Sequence, residues 1–149
     1  MNKIKLGILG GGGDSLIGVL HRVASNMYDR YEITGGVFNP NYDENISFAK
    51  KIGVNTGRVY DDFDTFIEEE TKIPIEDRIE VVSVLTPNFL HFPMAKKLLE
   101  NGFHVICEKP LTTSYNEALE LESLQKQHEA IFAVTYTYTG YPMVRHMKH

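Results

Sequence analysis

The chain has 149 residues, of which 42% are hydrophobic and 23% charged, the balance of a soluble globular domain large enough to bury its own core. A net charge of −5 with scattered basic residues leaves no positive stripe for nucleic acid or anionic lipid. The opening MNKIKLGILGGGG is too short in its apolar run for a signal peptide or a membrane span, so a cytoplasmic protein is expected.

Apolar β-rich runs alternate with segments of helical period, the pattern of a parallel sheet built from βαβ units. IKLGIL (4–9) reads as the first strand and runs straight into glycine. Leu16, Ile17, Leu20, Val23 and Ala24 then fall at helical spacing, which predicts a helix from near Ser15 to about Tyr28. ITGGVF (33–38) is the second strand, NPNYD a strand-to-helix loop, and ISFAKKIG (46–53) a short helix closed by Gly53. Val59 and Tyr60 read as a brief third strand before an acid-led helix through Glu70. EVVSVLT (80–86) has the continuous β-branched character of a strand covered on both faces. A helix over 89–101, a strand at HVICE (104–108), a helix capped by Ser114 with Glu117 in the capping-box position, and a strand at IFAVTYTY (131–138) complete the series. The pattern predicts a doubly wound α/β sheet of the Rossmann type, with about six strands and helices on both faces. It is expected to occupy residues 1–139, with 140–149 the start of a connection to a further domain.

The glycines sit where such a sheet binds a dinucleotide, in the first strand-to-helix loop. Phosphate there needs backbone N–H groups with no Cβ in the way, followed by a helix N-terminus. Gly10 and Gly12 supply the turn and the close approach, with Gly13 beside them in the loop. In a regular G-x-G-x-x-G the third glycine would fall at position 15, where this sequence has Ser15, and Gly18 comes three residues later. Either Ser15 takes the place and offers its hydroxyl, or the loop is longer and Gly18 provides the close helix packing. Cys107, the single cysteine, lies in an apolar run and reads as a buried thiol, and the six histidines show no metal-ligand spacing.

The segment TPNFLHFPMAKKLLENGFHVICEKPLT (86–112), together with the glycine loop, the G-x-x-H of Gly18–His21 and VTYTYTGYPMVR, resembles the Gfo/Idh/MocA oxidoreductases, named for glucose-fructose oxidoreductase and inositol dehydrogenase. The resemblance implies that Gly10, Gly12, Leu16 and Ile17 line the pyrophosphate. It further implies that Thr86, Pro87, Asn88 and His91 border the adenosine and nicotinamide path, and that Glu108, Lys109 and Pro110 form the motif nearest the nicotinamide. It implies hydride transfer between NAD or NADP and a sugar, cyclitol or related polyol, a C-terminal substrate domain, and homo-oligomers. Lys109 is the candidate catalytic residue, since a lysine at a strand end beside a cofactor can handle a proton. His91 has a second reading as a capped surface histidine. Tyr136, Tyr138 and Tyr141 either stack on the ligand or form a half-buried strand face.

Two departures matter. At the end of the second strand, where NAD binders place an acid for the ribose hydroxyls, this chain has Asn39, with Asp43 and Glu44 later in the loop. Asn39 can bond a ribose hydroxyl without repelling a 2′-phosphate, but no arginine follows to hold that phosphate, so the choice stays open between NAD and NADP with NAD slightly favoured. The sequence TGYP stands where many relatives carry an arginine. A second function class is a stand-alone dinucleotide-binding or sensor module without catalysis.

Overall fold

A computed structural model describes residues 3–147. Eleven helices and strands of more than four residues or paired in the sheet carry the fold: β1 (Ile4–Gly10), α1 (Leu16–Asn26), β2 (Tyr31–Val37), α2 (Tyr42–Lys51), α3 (Phe63–Lys72), β3 (Val81–Leu85), α4 (His91–Glu100), β4 (His104–Glu108), α5 (Tyr115–Gln127), β5 (Phe132–Thr135) and α6 (Pro142–His146). The strands form one parallel sheet in the order β2-β1-β3-β4-β5. The order reverses between β1 and β3, which opens a crevice at their carboxyl ends.

Strand alternation divides the core between two faces. On one, Val82 and Val84 of β3 and Val105 and Cys107 of β4 pack against Phe66 and Ile67 of α3, Leu98 and Leu99 of α4 and Leu121 of α5. On the other, Leu6, Ile8 and Val81 pack against Phe48 and Ala49 of α2. Helices thus cover both faces, as right-handed crossovers require. Side chains fix the helix starts: Asn41, Asp62 and Ser114 cap α2, α3 and α5, and Ser114 with Glu117 completes the capping box. Cys107 is fully buried, and burial pushes its thiol up to about 12.

The sheet has five strands rather than six. Val59 and Tyr60 are buried beside β2, but their pairing is reduced to one bridge, Gly36 to Val59, with Tyr60 N–H donating to Gly36 O at 3.1 Å. The 3-10 turn Thr56–Arg58 ends immediately before them and the α3 cap begins two residues after, leaving no length for a ladder. The last strand is also shorter than its tyrosine and threonine content suggests. Glu108 pairs with Thr135 as the final rung; Pro110 then offers no N–H to extend the ladder, and Thr137–Gly140 turn into a 3-10 helix. Tyr136, Tyr138 and Tyr141 therefore lie on no strand face, and all are more than half exposed. Of the segment read as 140–149, α6 occupies Pro142–His146, and 148–149 lie outside the described residues.

Candidate functional site

The loop between β1 and α1 is held by close contacts that admit only glycine. A Cβ on Gly18 would lie 1.8 Å from Gly11 O, and one on Gly12 would lie 2.5 Å from Phe38 O. Gly18 is therefore the glycine that lets α1 pack on the loop. Ser15 is the α1 N-cap, its Oγ accepting the Gly18 N–H at 3.1 Å. Gly10 and Gly13 both have positive φ, and the Gly13 Cα faces open space. Leu16 and Ile17 are the first helical residues, so their N–H groups have no carbonyl partner within the helix. Among the described residues no other acceptor takes them, so they can meet an anion where the helix dipole favours one. Arg22, which the sequence reading passed over, holds the loop from below: its Nη1 donates to Gly11 O at 2.8 Å.

The TPN and EKP segments follow β3 and β4 at the same edge of the sheet. Pro87 and Asn88 are exposed in the turn before α4, Thr86 is half-buried, and Lys109 and Pro110 are exposed beyond Glu108, with a cis peptide between them. His91 is not the capped surface histidine of its second reading. Its side chain is fully buried, with Nδ1 2.7 Å from Pro110 O and Nε2 2.9 Å from Thr86 O. Its imidazole is thus a strut joining the two loops rather than a group directed at a ligand.

Glu108 is likewise turned beneath the edge. Its Oε1 accepts from His21 Nε2 at 3.0 Å and from Thr135 Oγ1 at 2.6 Å, and its Oε2 accepts the Lys109 N–H at 3.1 Å. Burial pushes the carboxyl up, but the bonds from Thr135, His21 and Lys109 outweigh it and hold the group below its ordinary range. One carboxylate thus ties α1, β4 and β5 together directly under Lys109. His21 and Glu108 also line a cavity of about 480 Å³ between α1 and the sheet, with Leu6, Ile17, Ile106 and Thr135. This arrangement had a sequence signal in the G-x-x-H spacing, yet nothing local pairs residues 87 positions apart.

Beside Gly13, a separate open recess of about 410 Å³ lies between the loop and the first turns of α2, lined by Asn39, Asp43, Glu44, Ser47 and Lys51. Glycine loop, recess, TPN turn and EKP segment all lie at the carboxyl ends of the strands, around the point where the strand order reverses. The free helix N-terminus and the Cβ-free cradle fit a dinucleotide pyrophosphate.

Comparison with known proteins agrees with this geometry. Residues 4–136 match the GFO_IDH_MocA family, described as an oxidoreductase family with an NAD-binding Rossmann fold. A Bacillus subtilis protein named uncharacterized oxidoreductase YfiI is 36% identical over 146 residues, 97% of this chain and 37% of its own length. An inositol dehydrogenase homologue from Azotobacter vinelandii, solved with NADH and myo-inositol, superposes with a TM-score of 0.91 at 35% identity, over 97% of this chain and 38% of that one. An oxidoreductase from Pseudomonas syringae gives a TM-score of 0.91 at 34% identity, over 96% of this chain and 39% of that one. The chain therefore spans less than two fifths of the length of each of these relatives.

Proposed function

The chain belongs to the Gfo/Idh/MocA oxidoreductase family, as its NAD-binding Rossmann domain, and from that premise we propose that it serves hydride transfer between a nicotinamide and a sugar, cyclitol or related polyol. The observation that carries the reading is the convergence of three separated segments, Gly10–Ile17, Thr86–Asn88 and Glu108–Pro110, on one edge of the sheet. The Azotobacter homologue, solved with NADH and myo-inositol, supports the substrate class. The substrate-binding part belongs to a further domain following residues 1–139.

When bound, the nicotinamide supplies the hydride acceptor or donor. The chain's own residues do the rest. The Leu16 and Ile17 N–H groups bind the pyrophosphate at the α1 N-terminus, and Gly10, Gly12 and Gly13 let the backbone approach it. Thr86, Pro87 and Asn88 border the path toward the nicotinamide. Oxidation of a CH–OH group releases a hydride from carbon and a proton from oxygen, and Lys109 takes that proton. Glu108 and His91 act as positioning residues: the first holds the Lys109 N–H, the second joins the Thr86 and Pro110 carbonyls.

Binding and turnover test the reading together. Calorimetry is expected to give one saturable dinucleotide site on the 149-residue chain. This chain, substituted for the matching 38% of the Azotobacter homologue, is expected to reduce NAD with myo-inositol or another polyol. Lys109→Met in that chimera is expected to slow turnover by about 10²-fold or more while leaving dinucleotide affinity within about threefold. Absence of binding, or turnover that survives Lys109→Met, would contradict it.

A further inference from the structure

Asn39 lines the recess beside Gly13. The Asn39 side chain is engaged by the protein at both ends. Its Oδ1 accepts the Asn41 N–H at 2.8 Å, and its Nδ2 donates to Glu44 Oε2 at 2.7 Å. The acceptor presented to the recess is therefore the Glu44 carboxylate. It is anchored on the first turn of α2, where the Glu44 N–H donates to Asn41 Oδ1 at 3.1 Å. Its Oε1 has no hydrogen-bond partner among the described residues.

We propose that Glu44, held in place by Asn39, selects NAD over its 2′-phosphorylated counterpart; the inference rests on the cofactor reading above. Dinucleotide sheets hold the adenosine ribose just past the second strand, beside the glycine loop, and the recess occupies that position between Gly13 and α2. A fixed carboxylate accepts from vicinal ribose hydroxyls. A 2′-phosphate removes one of those donors and sets a dianion against Glu44, with Asp43 on the same wall. No arginine lines the recess among the described residues, and Arg22, which lies over the Phe48 ring 4.9 Å from its centroid, is committed to Gly11 O. Among the described residues Lys51 is the one cation lining the recess, against two carboxylates. An acid supplied from the first turn of α2 thus replaces one at the strand end, with Asn39 as its bracket.

Calorimetric titration of the 149-residue chain with NAD and with NADP tests this. The wild type is expected to bind NAD about tenfold or more tightly than NADP. In Glu44→Gln the new amide oxygen still accepts from Asn39, so the loop is retained, and an unchanged thermal midpoint verifies it. That variant is expected to bring the ratio of the two dissociation constants to within about threefold. A ratio unchanged in Glu44→Gln, a ratio that responds only to Asp43→Asn, or a wild type that prefers NADP would overturn the assignment. Failure of the wild type to bind either dinucleotide would overturn the cofactor reading itself, an outcome distinct from an unchanged ratio.

Discussion

Two buried glutamates, Glu70 and Glu108, sit at opposite ends of the molecule and are saturated in different ways. Glu70 is fully buried and meets a permanent cation. Arg58 donates through Nε at 2.8 Å and Nη2 at 2.5 Å, Tyr60 OH donates at 2.5 Å, and the Ile79 N–H donates at 3.0 Å. It ties the rudimentary third strand and α3 to the entry of β3. Glu108 is partnered by a histidine, a hydroxyl and the N–H of the candidate catalytic lysine. Both arrangements satisfy a buried charge. The first uses an arginine, whose guanidinium keeps its charge at any ordinary pH, with a phenol and a backbone N–H, and lines neither the cavity under α1 nor the recess beside Gly13, so its consequence is stability. The second lines a cavity and carries Lys109 on its outer side, so its consequence is placement.

Replacement of each glutamate separates these roles. Glu70→Ala leaves Arg58 without its partner and is expected to cost roughly 3–5 kcal/mol in denaturant unfolding, with dinucleotide affinity of the folded fraction unchanged. Glu108→Gln is expected to cost less, about 1–3 kcal/mol, while hydrogen exchange of the Lys109 N–H accelerates and the chimeric enzyme loses turnover beyond what instability explains. Equal stability losses with no change at Lys109 would erase the distinction. His21→Ala is expected to cost about 1 kcal/mol, and His21→Gln, whose amide can still donate to Glu108, to recover Lys109 N–H protection.

The smallest effect is in pH. The Glu108 carboxyl is depressed in the folded state, so its stabilisation is complete above the unfolded carboxyl value of about 4.3 and is lost as pH falls through the lower folded value. The stability gap between wild type and Glu108→Gln is expected to stay constant near neutrality and to shrink only in acid. A gap that changes between about pH 6 and 8 would contradict the assignment of this linkage to Glu108.

Much of this was legible in the sequence where chemistry is local. The glycine loop, the Ser15 start of α1, the Ser114–Glu117 capping box and the buried Cys107 follow from neighbouring residues. The choice between Ser15 and Gly18 was not decided by spacing, because it depends on the approach of α1 to Gly11 O. The third strand was over-read at Val59–Tyr60, since β-propensity does not register the turn and cap that crowd it. The last strand was over-read because the partner's end at Glu108 and Pro110 limits it. The site's supports were the least legible. His91 bridges two loops, Glu108 reaches His21 and Thr135, and Asn39 turns to Glu44 instead of to solvent. The first two depend on tertiary placement that a motif marks without explaining; the third is local, but residue types alone do not show which way the amide turns.

The central claim is that a dinucleotide lies along the carboxyl edge of the sheet, from the glycine loop to Lys109. Titration of the ¹⁵N-labelled chain with NADH, followed by amide chemical shifts, tests it most directly. The account predicts the largest saturable changes at Gly10–Gly13, Leu16, Ile17 and Lys109, with smaller ones at Glu44 and Asn88. Changes confined to the cavity between α1 and the sheet, or to residues around Glu70, would contradict it.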